Sequence, residues 1–170
     1  MTQHKLLMME QAINYILLDR DGVMNKVLPG SVCRVKDFEL LPNVADAIAK
    51  ANVKAYRVLV ITTQACVGRG DLDARELGGI HRKLLRDFGH SGGTISGIYV
   101  CPHTDDDDCA CRKPRPGLIE QAQADHGFDP AVTWMLGDSN RDAEAAVRAA
   151  VVLPWFEAVR VTLWSRMEKS

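Results

Sequence analysis

Two aspartates stand two residues apart in YILLDRDGV, at positions 19 and 21, directly after an apolar run. Carboxylates that close repel each other unless a proton or a cation sits between them. A third, Asp138, follows another apolar run in WMLGDSNRD. Three carboxylates, with water and phosphate oxygens, suit octahedral Mg²⁺, which keeps several waters and takes few protein ligands. Thr62 in VITTQ and Lys113 in CRKP could hold phosphate oxygens from the other side. A divalent cation and a lysine together offset the charge of a phosphate dianion, which otherwise repels an attacking carboxylate. The plain alternative for DRDG is a turn, because Asp and Gly are turn residues. The agreement among the other polar turns weighs against it.

A second cluster, CPHTDDDDCAC, spans residues 101–111. Cys101, His103, Cys109 and Cys111 supply three thiolates and one imidazole, a set that closes a tetrahedral structural zinc site. The chain has five cysteines, an odd number. In a reducing compartment three clustered cysteines favour metal over disulfides. The alternative is a surface loop with reduced thiols. Asp105 to Asp108 contain no further evident ligand and read as the solvated tip of the loop. Arg112 and Lys113 follow the last cysteine at once, so fixing Cys111 fixes where both cations point. Cys33 and Cys66 stand apart and read as packing residues.

These groups must be positioned by regular elements, and the pattern of the chain supplies them. Apolar runs at 12–18, 57–62, 95–100 and 132–136 read as strands. Segments 42–55, 71–89, 116–127 and 140–150 read as helices. Asn43 and Asp71 are the expected caps of the first two, and Gly127 ends the third. Gly78-Gly79 weakens the second helix. Strand–helix alternation predicts an α/β fold, a Rossmann-like parallel sheet with helices on both faces. In such sheets ligands bind beyond the carboxyl ends of the strands, which is where the polar turns fall.

The totals agree with one soluble domain over residues 1–170, with 1–11 flexible and 151–170 unplaced. Hydrophobic residues make up 46% and charged residues 25%, so the chain can bury a core without being a membrane protein. The net charge of −1 leaves no basic field for nucleic acid or an anionic membrane. No run is long enough to span a bilayer, and the N-terminus lacks a signal-peptide core. The expectation is therefore a cytoplasmic monomer with no nucleic-acid or membrane partner.

In this order, DRDGV, ITTQ, CRKP and GDSNRD look like the four motifs of the haloacid dehalogenase superfamily of phosphohydrolases. The resemblance covers roughly residues 13 to 150. DRDGV, GRG at 68–70, CPH…CACRKPRPG and GDSNRDAEAA further resemble the heptose-bisphosphate phosphatase branch, and histidinol-phosphatases share CPH and CxCRKP. The resemblance implies Mg²⁺-dependent removal of the 7-phosphate from a small sugar bisphosphate. Asp19 would be the nucleophile, and Asp21 the general acid and then base. Thr62 and Lys113 would steady the transferring group. Asp19, the backbone carbonyl of Asp21 and Asp138 would bind Mg²⁺, while Asp142 would orient Lys113 or a metal-bound water. Arg112 would recognise substrate, Thr63 and Gln64 would line the same pocket, and Arg69 would reach the far phosphate. A solvated loop arginine is the alternative for Arg69, and Asn25 and Lys26 are further substrate candidates.

The family usually carries asparagine where this chain has Thr63. Only about 35 residues separate Asp21 from the second strand, room for one helix and no lid, so a capless fold with a zinc-binding loop is expected. A phospho-accepting signalling domain would share the acidic pocket but needs neither Asp21 as proton donor nor a zinc loop. A zinc-stabilised nucleic-acid module would need a basic stripe that is missing.

Overall fold

The computed structural model describes residues 14–29 and 31–154. The elements run β1 (Asn14–Leu18), α1 (Val44–Val53), β2 (Tyr56–Thr63), α2 (Ala65–Gly68), α3 (Ala74–His90), β3 (Gly97–Cys101), α4 (Gly117–His126), β4 (Trp134–Leu136) and α5 (Asn140–Arg148). The strands pair in parallel in the order β3-β2-β1-β4.

Period-two alternation divides the core between two faces. Leu18, Val58 and Val60 pack with Ile48 of α1 and Ile80, Leu84 and Phe88 of α3. Leu17, Leu59, Ile61 and Met135 pack with Leu118 and Ile119 of α4 and Ala145 and Ala146 of α5. The strands buried on both sides are therefore continuous apolar runs, as parallel sheets require. Helices cover both faces, as the alternation of elements predicted.

Several ends differ from expectation. Asn43 precedes α1 but makes no side-chain cap; its backbone is left-handed, with φ 65°. The cap of α3 is Asp73, which accepts from Glu76 N at 2.7 Å, and not Asp71, which pairs with Arg69. Gly79 is tolerated inside α3 because a Cβ there would lie 2.6 Å from Val35 Cγ2, so the glycine permits close packing. The short helix α2 had no sequence signal. After α5, Val152 exchanges backbone hydrogen bonds with Thr133 and Met135 at 2.9 and 3.0 Å. That makes a one-residue edge bridge just before Pro154, which cannot donate to a longer ladder. Residues 1–13 and 155–170, the segments expected to be flexible or left unplaced, lie outside the described residues.

α3 also carries a half-buried histidine. The Nε2 of His81 is enclosed with no hydrogen-bond partner among the described residues. Burial, with the Arg20 guanidinium nearby, lowers its pKa from 6.5 to about 4. The unfolded imidazole protonates near 6.5, so the stability of the neutral form is complete above that pH and is lost as pH falls toward 4. Urea denaturation at pH 7 and pH 5 should therefore show a smaller acid destabilisation in His81→Leu than in the wild type. Equal losses in the two proteins would contradict this.

Candidate active site and metal centres

The carboxyl ends of β1, β2 and β4 meet around Lys113. Its ammonium donates to Asp19 Oδ1 at 2.8 Å and to the carbonyl of Ile61 at 3.0 Å, and it pairs with Asp142 Oδ1. Lys113 is 5% exposed. Burial alone would lower its pKa, but the two carboxylates outweigh burial and hold it above the ordinary lysine value. The other oxygen of Asp142 accepts from Ser139 N at 3.1 Å and Ser139 Oγ at 2.5 Å, closing a capping box on α5. Asp142 is thus fixed from behind while it orients the lysine.

Two glycines let these groups approach. A Cβ on Gly137 would overlap Asp142. Gly22, with φ 86°, lies so close to the Asp138 carboxylate that any side chain would collide with it.

Asp19, Asp138 and Asp142 each offer a carboxylate oxygen, all within 4.8 Å of one another. Burial raises the Asp19 pKa to about 6, against the pull of Lys113 and with Asp142 adding to the rise. Burial, then the Asp142 charge, raises Asp138 as well. Crowded carboxylates of this kind are relieved by a cation. Hard carboxylate oxygens grouped in this way are the donor type that suits Mg²⁺.

Asp21 is set apart from this group. Its Oδ1 accepts from Arg20 Nε at 3.3 Å, Arg20 Nη2 at 3.1 Å and Asn25 Nδ2 at 2.8 Å. Its Oδ2 accepts from Arg20 Nη2 at 2.9 Å and Gln64 Nε2 at 2.7 Å. Gln64 Nε2 also donates to Thr62 Oγ1 at 2.8 Å, and Gln64 Oε1 accepts from Arg20 Nη2 at 2.8 Å. Gln64, expected to line the pocket, is 1% exposed, with both ends of its amide engaged inside the protein. Asn25, a substrate candidate, is fully buried, and Lys26 pairs with Glu39 at the surface. Thr63 Oγ1 is enclosed with no partner among the described residues. A cavity of about 380 Å³ opens beside Asp21, lined also by Val27, Leu28, Ser31, Val32 and Arg69. Arg69 is half-exposed in it and pairs with Asp71 at 2.9 Å.

The cysteine loop packs against the same strand ends. Cys101 Sγ lies 3.7 Å from Cys109 Sγ and 3.6 Å from His103 Nδ1. Cys111 Sγ lies 3.5 Å from Cys109 Sγ and 3.2 Å from His103 Nδ1. These separations are far too long for disulfides. They are close to the edges of a tetrahedron with Zn–S of about 2.3 Å and Zn–N of about 2.0 Å, roughly 3.5 to 3.8 Å. Burial pushes the Cys101 thiol up to about 12, so full ionisation of the set calls for a divalent cation. The donors fit zinc. The carbonyls of Cys101 and Pro102 accept from Gln64 N at 2.7 Å and Gly68 N at 2.9 Å, tying this loop to the end of β2.

The acidic tip is exposed, as expected, but its carboxylates also pair within the loop. Asp105 accepts from Arg112 Nε at 2.7 Å, Asp107 caps Thr104, and Asp108 pairs with Arg115. Arg112 also donates to His103 O at 3.2 Å, so its guanidinium is held across the loop. Sequence reasoning missed Arg20, Asp105, Asp108 and Arg115 as partners. Only the charge alternation of DDDD against R-x-x-R pointed to the last three.

A family model described as HAD-hydrolase-like matches residues 110–151. A D-glycero-beta-D-manno-heptose-1,7-bisphosphate 7-phosphatase of Neisseria meningitidis is 40% identical over 130 residues, 76% of this chain and 70% of the relative. A D-glycero-alpha-D-manno-heptose-1,7-bisphosphate 7-phosphatase of Mycobacterium tuberculosis is 39% identical over 137 residues, 79% of this chain and 72% of the relative. Among solved structures, the D,D-heptose 1,7-bisphosphate phosphatase of B. bronchiseptica, complexed with magnesium and phosphate, superposes with a TM-score of 0.81 at 36% identity. It covers 82% of this chain and 78% of its own. Similarity of this degree, over more than two thirds of each protein, means that the chain belongs to the HAD-like hydrolases, in the family of the heptose-1,7-bisphosphate 7-phosphatases.

Proposed function

We propose that this protein hydrolyses the 7-phosphate of D-glycero-D-manno-heptose 1,7-bisphosphate through an aspartyl-phosphate on Asp19. The observation that carries the reading is the grouping of Asp19, Asp138 and Asp142 with the Lys113 ammonium at the strand ends. The names of the relatives supply the substrate. Mg²⁺ held by Asp19, the Asp21 carbonyl and Asp138 would supply positive charge against the phosphate oxygens.

The chain's own groups do the rest. Lys113 neutralises phosphate charge as Asp19 attacks phosphorus. Thr62 accepts from Gln64, which leaves its O–H free to donate to a phosphoryl oxygen. Asp21 protonates the departing sugar oxygen, then takes a proton from the water that releases Asp19. Phosphoryl transfer has a loose transition state, so positioning and charge compensation are the main contributions required. Arg69 and Arg112 stand at the two sides of the site as the cations available to the rest of the sugar bisphosphate.

Zinc in the Cys101, His103, Cys109 and Cys111 set would brace Lys113, two residues past the last ligand, and the Gln64 backbone, which hydrogen-bonds to the Cys101 carbonyl. The reading takes the protein as one capless domain, with a single α-helix between β1 and β2. It also takes it as a cytoplasmic monomer. Among the described residues no helix is long and apolar enough to cross a membrane.

Phosphate release should be measured on both heptose bisphosphate anomers, with histidinol phosphate as a control. Asp19→Asn should fall to background, and Asp21→Asn by about 10²- to 10⁴-fold. Chelation of Mg²⁺ should abolish turnover and added Mg²⁺ should restore it. Activity that survives both Asp19→Asn and chelation refutes the reading. Elemental analysis should find about one zinc per chain. Cys109→Ser should lose the zinc and melt at a lower temperature. A wild type purified without zinc yet fully stable and active would remove the bracing role.

A further inference from the structure

Resting on the phosphatase reading, we infer that Gln64 is a positioning residue for the general acid: it aims the Asp21 carboxylate and, on its other side, the Thr62 hydroxyl. Neither the motif resemblance nor the substrate assignment gives it this role.

Arg20 can only donate and a carboxylate can only accept, so an amide wedged between them has one orientation. Oε1 must face Arg20 and Nε2 must face Asp21, as the distances of 2.8 and 2.7 Å have it. Gln64 cannot turn to serve a ligand without leaving a buried guanidinium or a carboxylate short of a partner.

The carboxylate it holds is held elsewhere as well. Arg20 is fully buried, and Asp21 is the carboxylate it pairs with. The imidazole of His81 is kept neutral nearby and offers no counter-charge. Asn25 donates to the opposite oxygen from Gln64. Arg20, Asn25 and Gln64 thus grip both oxygens of Asp21, while a quarter of its side chain (26%) faces solvent and it lines the cavity beside Val27 and Arg69. The rotamer of an acid that must reach a leaving oxygen is fixed by three buried side chains. Gln64 is the one that also touches the phosphate-binding Thr62, and its N–H is anchored on the Cys101 carbonyl. It therefore links the acid, the phosphate hydroxyl and the cysteine loop.

A positioning role through Asp21 predicts dependence on the leaving group. Expulsion of a primary alcohol needs a proton from the acid; expulsion of 4-nitrophenolate does not. The parameter to compare is kcat/KM, which reports the steps through first phosphoryl transfer. Gln64→Met, which keeps the volume and removes the amide, should be assayed with Mg²⁺ on 4-nitrophenyl phosphate and on 2-phenylethyl phosphate. A loss common to both esters is expected through Thr62. The alkyl ester should lose about 10-fold more, the scale of one charge-assisted hydrogen bond.

Asp21→Asn sets the pattern to be matched, with a larger excess loss on the alkyl ester. Equal losses on both esters in Gln64→Met, or no loss, overturn the inference while leaving the phosphatase reading intact. If the wild type releases phosphate from neither these esters nor the heptose bisphosphates, both fall. Should Gln64→Met fail to fold, Asn25→Ser removes the donor on the other oxygen and is read by the same excess loss.

Discussion

One buried ammonium ties the strand ends together. Lys113 reaches Asp19 at the end of β1, the Ile61 carbonyl in β2 and Asp142 on α5, while its own backbone belongs to the cysteine loop. Burying a lysine is costly unless it is paired and hydrogen-bonded, and here every partner is itself held in place. Asp142 is fixed by Ser139, Asp19 by the Leu136 carbonyl through its N–H, and the lysine by the loop that contains it. The grouping of Asp19 and Asp142 at the strand ends thus follows from satisfying one charge. Removing the lysine would leave two buried carboxylates facing each other, a change of about 3 to 5 kcal/mol in comparable buried pairs.

A second charge, Arg20, sits under the other half of the site. It pairs with Asp21 as Lys113 pairs with Asp19. Asp19 and Asp21 are therefore separated by having different buried cations. This division is a physical basis for giving them different work: one is crowded by neighbouring carboxylates, and the other is gripped by hydrogen-bond donors. The cysteine loop touches both halves, through Lys113 and through the backbone of Gln64.

The order of elements and the chemical residues at the strand ends were legible because each polar turn follows an apolar run of strand length. The two core faces follow from period-two alternation, which survives in Leu17-Leu18 and Val58 to Ile61. The cysteine–histidine cluster was legible from spacing and residue type, since sulfur and imidazole donors that close have few other uses. What stayed hidden depends on chain reversals. Asp105 meets Arg112, and Asp108 meets Arg115, only after the loop folds back on itself. Gln64 looked like a pocket residue because it follows a strand end, yet Gln64 N donates to Cys101 O, and its side chain turns inward under Asp21. Arg20 gave no warning, because nothing local announces that an arginine between two aspartates will be wholly buried. Asp73 displaced Asp71 as the cap of α3 because Asp71 is spent on Arg69.

The central claim is that Asp19 carries the phosphoryl group, and it can be read directly from the protein. The enzyme is mixed with substrate and Mg²⁺, quenched in acid during turnover and reduced with borohydride, which converts an acyl phosphate of aspartate to homoserine. Mass spectrometry of the peptides spanning YILLDRDGV and WMLGDSNRD then locates the change. The account predicts homoserine at position 19 alone. Homoserine at Asp21 or Asp138, or rapid turnover with none at Asp19 under conditions that trap a control acyl phosphate, would contradict it.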